Sequence, residues 1–199
     1  MKSALVLLLT VFALKSHAMV LFEPMAAYEV SGSTAIEFTP AGEAIKGVSK
    51  LDGTHSGSIS YGARLGWVFD NAAWFAGEYM AASGGKIKYD THEDEFTRES
   101  YGMDLGMWLG RWNLWVGYNI GDKLNITQQG ATEKDEITGT AIRAGIGFLV
   151  FRHLAINVEG AYRTYNDGKS ETDTVYDNMD QYVDKFNQTT VTAGLSFPF

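Results

Sequence analysis

The chain has 199 residues, enough for one domain, and no cysteine, so neither a disulfide framework nor a thiolate metal centre is open to it. Its 24 acidic residues outnumber 16 basic ones, a net charge of −8, which is the wrong sign for a nucleic-acid binder. No low-complexity run or interdomain linker breaks the sequence, and glycine (22) far exceeds proline (three), as strands with small residues on one face require.

Lys2, the apolar run Ala4 to Leu14 and the small residues Ser16 and Ala18 have the layout of a secretory signal peptide cleaved after Ala18. The apolar run is shorter than the ~20 residues of a spanning helix, and no basic stop-transfer cluster follows. The expected division is a signal peptide over 1–18 and a single domain over 19–199. Cleavage removes Lys2 and Lys15 and no acid, which takes the net charge from −8 to −10.

Beyond residue 19 the dominant period is two, the signature of strands. In chain order, Phe22–Ser31 sets Phe22, Ala26, Tyr28 and Val30 against Glu23, Met25, Ala27, Glu29 and Ser31. Ser58–Phe69 sets Ile59, Tyr61, Ala63, Leu65, Trp67 and Phe69 against Ser60, Gly62, Arg64 and Gly66. Ala73–Ala82 pairs Phe75, Tyr79 and Ala81 with Glu78 and Met80, and Ser100–Leu109 pairs Tyr101, Met103, Leu105, Met107 and Leu109 with Gly102, Asp104 and Gly106. Asn113–Ile120, Thr138–Val150 and Leu154–Tyr165 alternate likewise, with Trp115, Arg143, Glu159 and Arg163 on the polar face. The eighth strand is TVTAGLSFPF, with Val191, Ala193, Leu195, Phe197 and Phe199 on its apolar face.

The connections alternate strictly. Long polar segments follow the first, third, fifth and seventh strands (32–57, 83–99, 121–137, 166–187); tight turns near Asp70-Asn71, Gly110-Arg111 and Arg152-His153 follow the others. Trp67, Trp74, Trp108 and Trp112 lie near the first two turns, and Tyr28, Tyr61, Tyr79, Tyr101, Tyr118 and Tyr162 lie toward the long segments, all six with apolar-face parity. Two aromatic levels are what a membrane barrel places at its two interfaces. The expected fold is therefore all-β: an eight-stranded antiparallel up-and-down transmembrane β-barrel with short periplasmic turns and long extracellular loops. Pro24 and Pro198, which cannot donate ladder bonds, lie at the rim where the first and last strands pair; the readings are a locally frayed seam or, preferred, a rim position where the lost bonds do no harm.

Eight strands leave an interior just wide enough to be filled by side chains. The inward charges read from the pattern are Glu29, Arg64, Glu78, Asp104, Arg143, Glu159 and Arg163. A turn near Asn71 sets Arg64 opposite Glu78, and one near Arg152 brings Arg143 within diagonal reach of Glu159. Because an unpaired charge inside a barrel costs several kcal/mol, these pairs are expected to form a structural interior network that includes Asp104 and Arg163.

Topology, aromatic levels, inward Arg/Glu pairs and the terminal strand together resemble the small eight-stranded bacterial outer-membrane β-barrel superfamily, the OmpA transmembrane-domain and OmpX-like proteins. The resemblance implies an outer-membrane location, lipid and lipopolysaccharide as surroundings, a monomer, and Leu195, Phe197 and Phe199 as the signal read by the barrel assembly machinery. No peptidoglycan-binding domain is expected after the last strand, a departure from full-length OmpA. The expected function is a plugged barrel with a structural or surface-interaction role through its loops. The alternatives are a narrow channel for small or hydrophobic solutes of the OmpW type and a lipid A-modifying enzyme.

No catalytic, cofactor or metal site stands out. His55 and His92 fall in long segments and His153 in a turn, and the adjacent His55-Ser56 reads as solvated loop. The acids of 90–95 (Asp90, Glu93, Asp94, Glu95) and of 166–187 (Asp167, Glu171, Asp173, Asp177, Asp180, Asp184) lack the spacing of a calcium loop and read as a solvated surface. Tyr176, Met179, Tyr182 and Phe186 recur at three- and four-residue steps, the pattern of a short amphipathic helix over the barrel mouth.

Overall fold

The computed structural model describes residues 18–70, 72–89, 93–128, 134–170 and 174–199. The expected signal peptide, apart from Ala18, lies outside the described residues, as do Asn71, Asp90, His92, Glu171, Asp173 and the side chain of Tyr176. The described residues form nine strands and three helical segments, in order: β1 (Met19–Phe38), α1 (Pro40–Lys46), β2 (Lys50–Ser56), β3 (Ile59–Phe69), β4 (Ala73–Lys88), β5 (Glu93–Leu109), β6 (Trp112–Thr127), β7 (Lys134–Phe151), β8 (Leu154–Lys169), α2 (Thr174–Asp177), α3 (Met179–Tyr182) and β9 (Val183–Ser196). All pairs are antiparallel, and β9 returns to β1, so the sheet closes without a free edge along its length.

The ring counts eight because β2 is the upward continuation of β3. Its register against β1 (Gly32 to His55) runs on into that of β3 (Tyr28 to Ile59), and both strands pair with β4. The break between them is Gly57 (φ 86°) and Ser58, bridged by bonds from Gly57 N–H to Glu29 O (3.1 Å) and from Glu29 N–H to Ser58 O (2.9 Å). Much of the four long segments is therefore strand. β1, β5 and β7 have 20, 17 and 18 residues, well beyond the ~9–11 that cross a bilayer, so they rise past the tyrosine level as barrel wall.

At the tyrosine level the barrel turns inside out. The six tyrosines face outward and are exposed. On the turn side of them the outer face is apolar (Phe22, Leu65, Phe75, Leu105, Val116, Ile142, Val158, Leu195) and the inner face is charged. On the loop side the outer face carries Glu37, Lys86, Lys88, Glu95, Glu99, Lys123, Glu136 and Lys185, while Ile36, Phe38, Ile87, Phe96, Leu124, Ile126 and Ile137 fill the interior. Register shifts at this level make the exchange. β1 inserts an extra residue between Glu29 and Ser31, β4 between Ala82 and Gly85, β6 between Asn119 and Asp122, and β8 between Tyr165 and Asp167. A bulge flips the parity of everything beyond it. In β1, even-numbered Phe22, Ala26 and Tyr28 point out, whereas even-numbered Thr34, Ile36 and Phe38 point in; Ser31, expected inside, is exposed.

The interior is stacked in three layers. At the turn end Leu21, Trp74, Ala76 and Trp115 pack with Val68 and Trp108. Trp74 and Trp108, expected in the outer aromatic level, thus face inward; Trp74 is 2% exposed and donates its indole N–H to Asn113 Oδ1 at 2.9 Å. Trp67 and Trp112 do face outward. The middle layer is charged. The loop-end layer is apolar and is closed by Val175 and Met179 from α2 and α3, with Tyr182 packed against it. The expected amphipathic helix is instead two four-residue turns divided at Asn178, and Phe186 sits on β9, fully buried. Turns this short hold only by packing.

The seam is not frayed. Phe197 N–H donates to Pro24 O, and Phe199 and Phe22 exchange both backbone bonds (3.0–3.2 Å), so each proline is flanked by intact pairs. His153 donates from Nδ1 to Pro198 O at 2.9 Å and stacks on Phe199 at 5.2 Å.

Small inward residues make room for the tryptophans: a Cβ at Gly106 would overlap the ring of Trp74, and one at Gly145 the ring of Trp115. Gly145→Val should cost about 1–3 kcal/mol of unfolding free energy, the usual cost of overpacking, in urea titrations from lipid vesicles read by tryptophan fluorescence. Gly160→Ala on the open outer face, where nothing lies within 4 Å, should change little. Equal effects of the two substitutions would show that the Trp115 layer is loosely packed.

Candidate functional site

The middle layer is built by two arginines that lie 1% and 3% exposed and cannot give up their charge. Arg64 on β3 donates from Nε to Glu78 Oε2 (3.0 Å) on β4 and to Asp104 Oδ2 (2.6 Å) on β5, and from Nη1 to Glu23 Oε2 (3.4 Å) on β1. Arg143 on β7 reaches Asp104 Oδ1 through Nη2 (2.6 Å), Glu78 Oε1 (2.5 Å) and Glu159 Oε2 (3.1 Å) through Nη1, and Asn119 Oδ1 on β6 through Nε (2.8 Å). Ser196 on β9 donates to the remaining oxygen of Glu23 at 2.6 Å, and Trp115 donates to Glu159 at 3.2 Å. Each of the eight ring strands thus gives one residue to a single connected network: Glu23, Arg64, Glu78, Asp104, Asn119, Arg143, Glu159 and Ser196. The guanidinium of Arg64 also lies 4.6 Å from the Trp115 ring centre and 5.4 Å from that of Trp74, which ties the charged layer to the apolar one beneath it.

A second cluster lies above. Arg163 donates to Asp122 Oδ2 (3.1 Å) and Thr190 Oγ1 (2.6 Å); Tyr165 donates its hydroxyl to Asp122 Oδ1 (2.9 Å). Arg98 donates to Gln188 Oε1 at 2.6 Å and stands 3.6 Å from Glu29 and 3.7 Å from Asp122. Arg163 therefore belongs to this cluster, linked to the lower one through Asn119, whose amide reaches Asp122 at 3.5 Å. Between the clusters is a cavity of about 70 Å³ lined by Glu29, Arg64, Glu78, Arg98, Arg143 and Glu159, among others.

His55 is not in a solvated loop. It is 2% exposed, with Nδ1 2.5 Å from Glu29 Oε1 and Nε2 3.3 Å from Ser33 O, and its ring takes the space that a side chain at Gly32 would occupy. Ser58 donates to the other oxygen of Glu29 at 2.9 Å. A histidine, a carboxylate and a serine are thus adjacent, but the hydroxyl is bonded to the carboxylate and not to the imidazole. The arrangement fixes Glu29 and does not activate a nucleophile.

The acids expected at the surface divide. Of them, Asp94 turns inward and is buried, as is Asp135 from the 121–137 segment. Glu93 accepts from Lys86 (2.5 Å) and Lys88 (3.1 Å), and Glu37 accepts from Lys185 (2.8 Å); these hydrogen bonds hold both carboxyls below their ordinary range. Among the described residues, no group of three or more His, Asp or Glu is placed to share a metal ion. Leu195, Phe197 and Phe199 face outward near the turn end and are exposed.

Sequence reasoning missed Arg98, Asp122 and Gln188 as interior residues and Glu23 as a member of the charge network. The first three lie beyond the period-two segments recognised as strands, and Glu23 was on the inward face with its charge unaccounted for. Asp104, fully buried and held by both guanidiniums at 2.6 Å, is the hub. Asp104→Asn should cost about 3–5 kcal/mol of unfolding free energy in vesicles, the range for breaking a buried ion pair. Glu159→Gln, whose side chain is 18% exposed with longer contacts, should cost clearly less, and a cost equal to that of Asp104→Asn would remove Asp104 from the centre of the network.

No protein-family model matches the sequence, and no curated protein matches it. Solved structures do. The chain is similar to Neisserial surface protein A at 13% identity and a TM-score of 0.51, over 92% of this chain and 99% of that one. It also aligns with Ail of Yersinia pestis (13% identity, TM-score 0.48, 91% of this chain and 100% of that one) and with the outer membrane protein OprG of Pseudomonas aeruginosa (12%, 0.47, 93% and 97%). A chain whose eight ring strands close over a buried Arg/Asp/Glu layer, and which matches such a barrel over nearly its whole length, has the fold of the small eight-stranded outer-membrane β-barrels.

Proposed function

We propose that the protein is exported with its first 18 residues as a cleaved signal, inserts in the outer membrane as a monomer with its short turns in the periplasm, and serves there as a closed barrel with a structural or surface-interaction role. The observation that carries this reading is the interior stack. A charged layer with side chains from all eight ring strands is sandwiched between apolar layers at the turn end and at the loop end. A solute would have to displace Trp74 and Trp115, separate Arg64 and Arg143 from Asp104, and then pass Phe96 and Phe186. The apolar outer band and the exposed tyrosines fit a bilayer, and the charged wall above them is the part that would meet an external surface.

The narrow-channel alternative needs a route through these layers, and the lipid-modifying alternative needs a hydroxyl in contact with a histidine; the packing favours neither. Planar-bilayer recording and liposome swelling test the reading. The protein should insert, giving heat-modifiable migration in gels, yet produce no steady current above the lipid baseline and no sugar-driven swelling. Discrete current steps or swelling from inserted protein would overturn it.

A further inference from the structure

The bulges that turn the barrel inside out leave a notch in its outer wall. β6 sets two residues, Ile120 and Gly121, against the single Thr140 between partners Ala141 and Gly139 of β7, and β8 carries Asn166 between partners Thr138 and Gly139 of the same strand. The two irregularities flank β7 at one height. Between them opens a cleft of about 380 Å³, lined by Tyr101, Ile120, Lys123, Thr140, Asn166 and Asp167 together with Asp122, Thr138 and the backbone at Gly121 and Gly139. That volume is within the ordinary range of small-molecule sites, ~300–1,000 Å³.

Its height defines its surroundings. Tyr101 belongs to the tyrosine ring, and its aromatic ring lies over Gly121 as one wall of the cleft. Just toward the turn side, the neighbouring outward residues are apolar Met103, Tyr118, Ile142 and Tyr162; just toward the loop side they are Glu99, Lys123 and Glu136. On the reading of the barrel as membrane-spanning, the cleft opens where lipid headgroups lie, with room for acyl chains against the apolar band below.

The lining chemistry selects among headgroups. Among the described residues, Lys123 is the one cationic side chain lining the cleft, and Glu136 neutralises it at 2.5 Å. Asp167 is exposed, and Asp122 is already bonded to Arg163 and Tyr165. A phosphate would meet a surplus of negative charge. What remains is an aromatic face, two threonine hydroxyls, one carboxamide and one carboxylate, which is a set suited to hydroxyl groups on a ring. We propose that this notch binds the sugar headgroup of a membrane glycolipid, stacked against Tyr101 and hydrogen-bonded by Thr140, Asn166 and Asp167.

The full-length protein, reconstituted in nanodiscs of equal parts diglucosyl diacylglycerol, phosphatidylethanolamine and phosphatidylglycerol, tests this by native mass spectrometry of the released protein. The wild type should retain the glycolipid about tenfold over either phospholipid, the worth of one or two neutral hydrogen bonds. Thr140→Val combined with Asn166→Leu should abolish that preference while leaving heat-modifiable migration unchanged, and Lys123→Ala should leave it intact. Preferential retention of either phospholipid, or a glycolipid preference unaltered in the double variant, would overturn the proposal. Both outcomes are read from protein that has inserted normally, so they leave the closed-barrel reading standing. A double variant that fails to insert is replaced by Asp167→Asn, which should reduce the preference by a smaller factor; an unchanged preference there would equally count against the site.

Discussion

Two guanidiniums that cannot be neutralised are enclosed in a ring of eight strands, and the rest of the structure answers to them. Arg64 and Arg143 carry charge into the buried interior, where each N–H left without a partner would cost about 1–3 kcal/mol. Their donors are satisfied by oxygen atoms drawn from β1, β4, β5, β6 and β8, with β9 supplying the hydroxyl that completes Glu23. Because the partners come from strands far apart in sequence, the network can form only when the sheet has closed. It therefore specifies the register of the ring as well as filling it. Tryptophans on one side and a conventional apolar core on the other isolate it from solvent.

The second organising constraint is the change of surroundings along the barrel axis. On the proposed membrane-spanning reading, the apolar face must point out in lipid and in above the bilayer. The chain solves this in two ways. β1, β4 and β6 keep one alternation and insert a bulge, so that the parity which carries outward apolar residues below the tyrosines carries core residues above them; β8 bulges at the same height. β5 has no surplus residue of its own and changes its chemistry instead: the odd positions Leu109, Met107, Leu105, Met103 and Tyr101 give way to Glu99, Thr97 and Glu95, while the inward even positions pass from Asp104 to Phe96. The wall cleft beside β7 is a by-product of this arrangement, and its position at the changeover is what gives it a defined chemical neighbourhood.

This explains which parts of the molecule were legible in the sequence. Within the apolar outer band the period-two pattern placed every strand and the pairing of Arg64 opposite Glu78, because there the two faces differ sharply in polarity. Past the tyrosines the same pattern became ambiguous. A bulge leaves no mark in an alternating sequence except, at times, a glycine such as Gly84 or Gly121, so polar stretches that continue the wall looked like loop. His55, Arg98, Asp122 and Gln188 were lost for that reason. Trp74 and Trp108 show a different failure: proximity to a turn suggested an interface residue, although their parity, which matched Glu78 and Asp104, pointed inward.

A network that spans the closed ring should couple Asp104 to Arg143, although β6 separates their strands. A double-mutant cycle of Asp104→Ala and Arg143→Ala, from reversible urea unfolding in vesicles, measures that coupling. The account predicts that the double variant is more stable than the sum of the two single losses implies, by about 2–3 kcal/mol. Losses that add to within about 0.5 kcal/mol would contradict it.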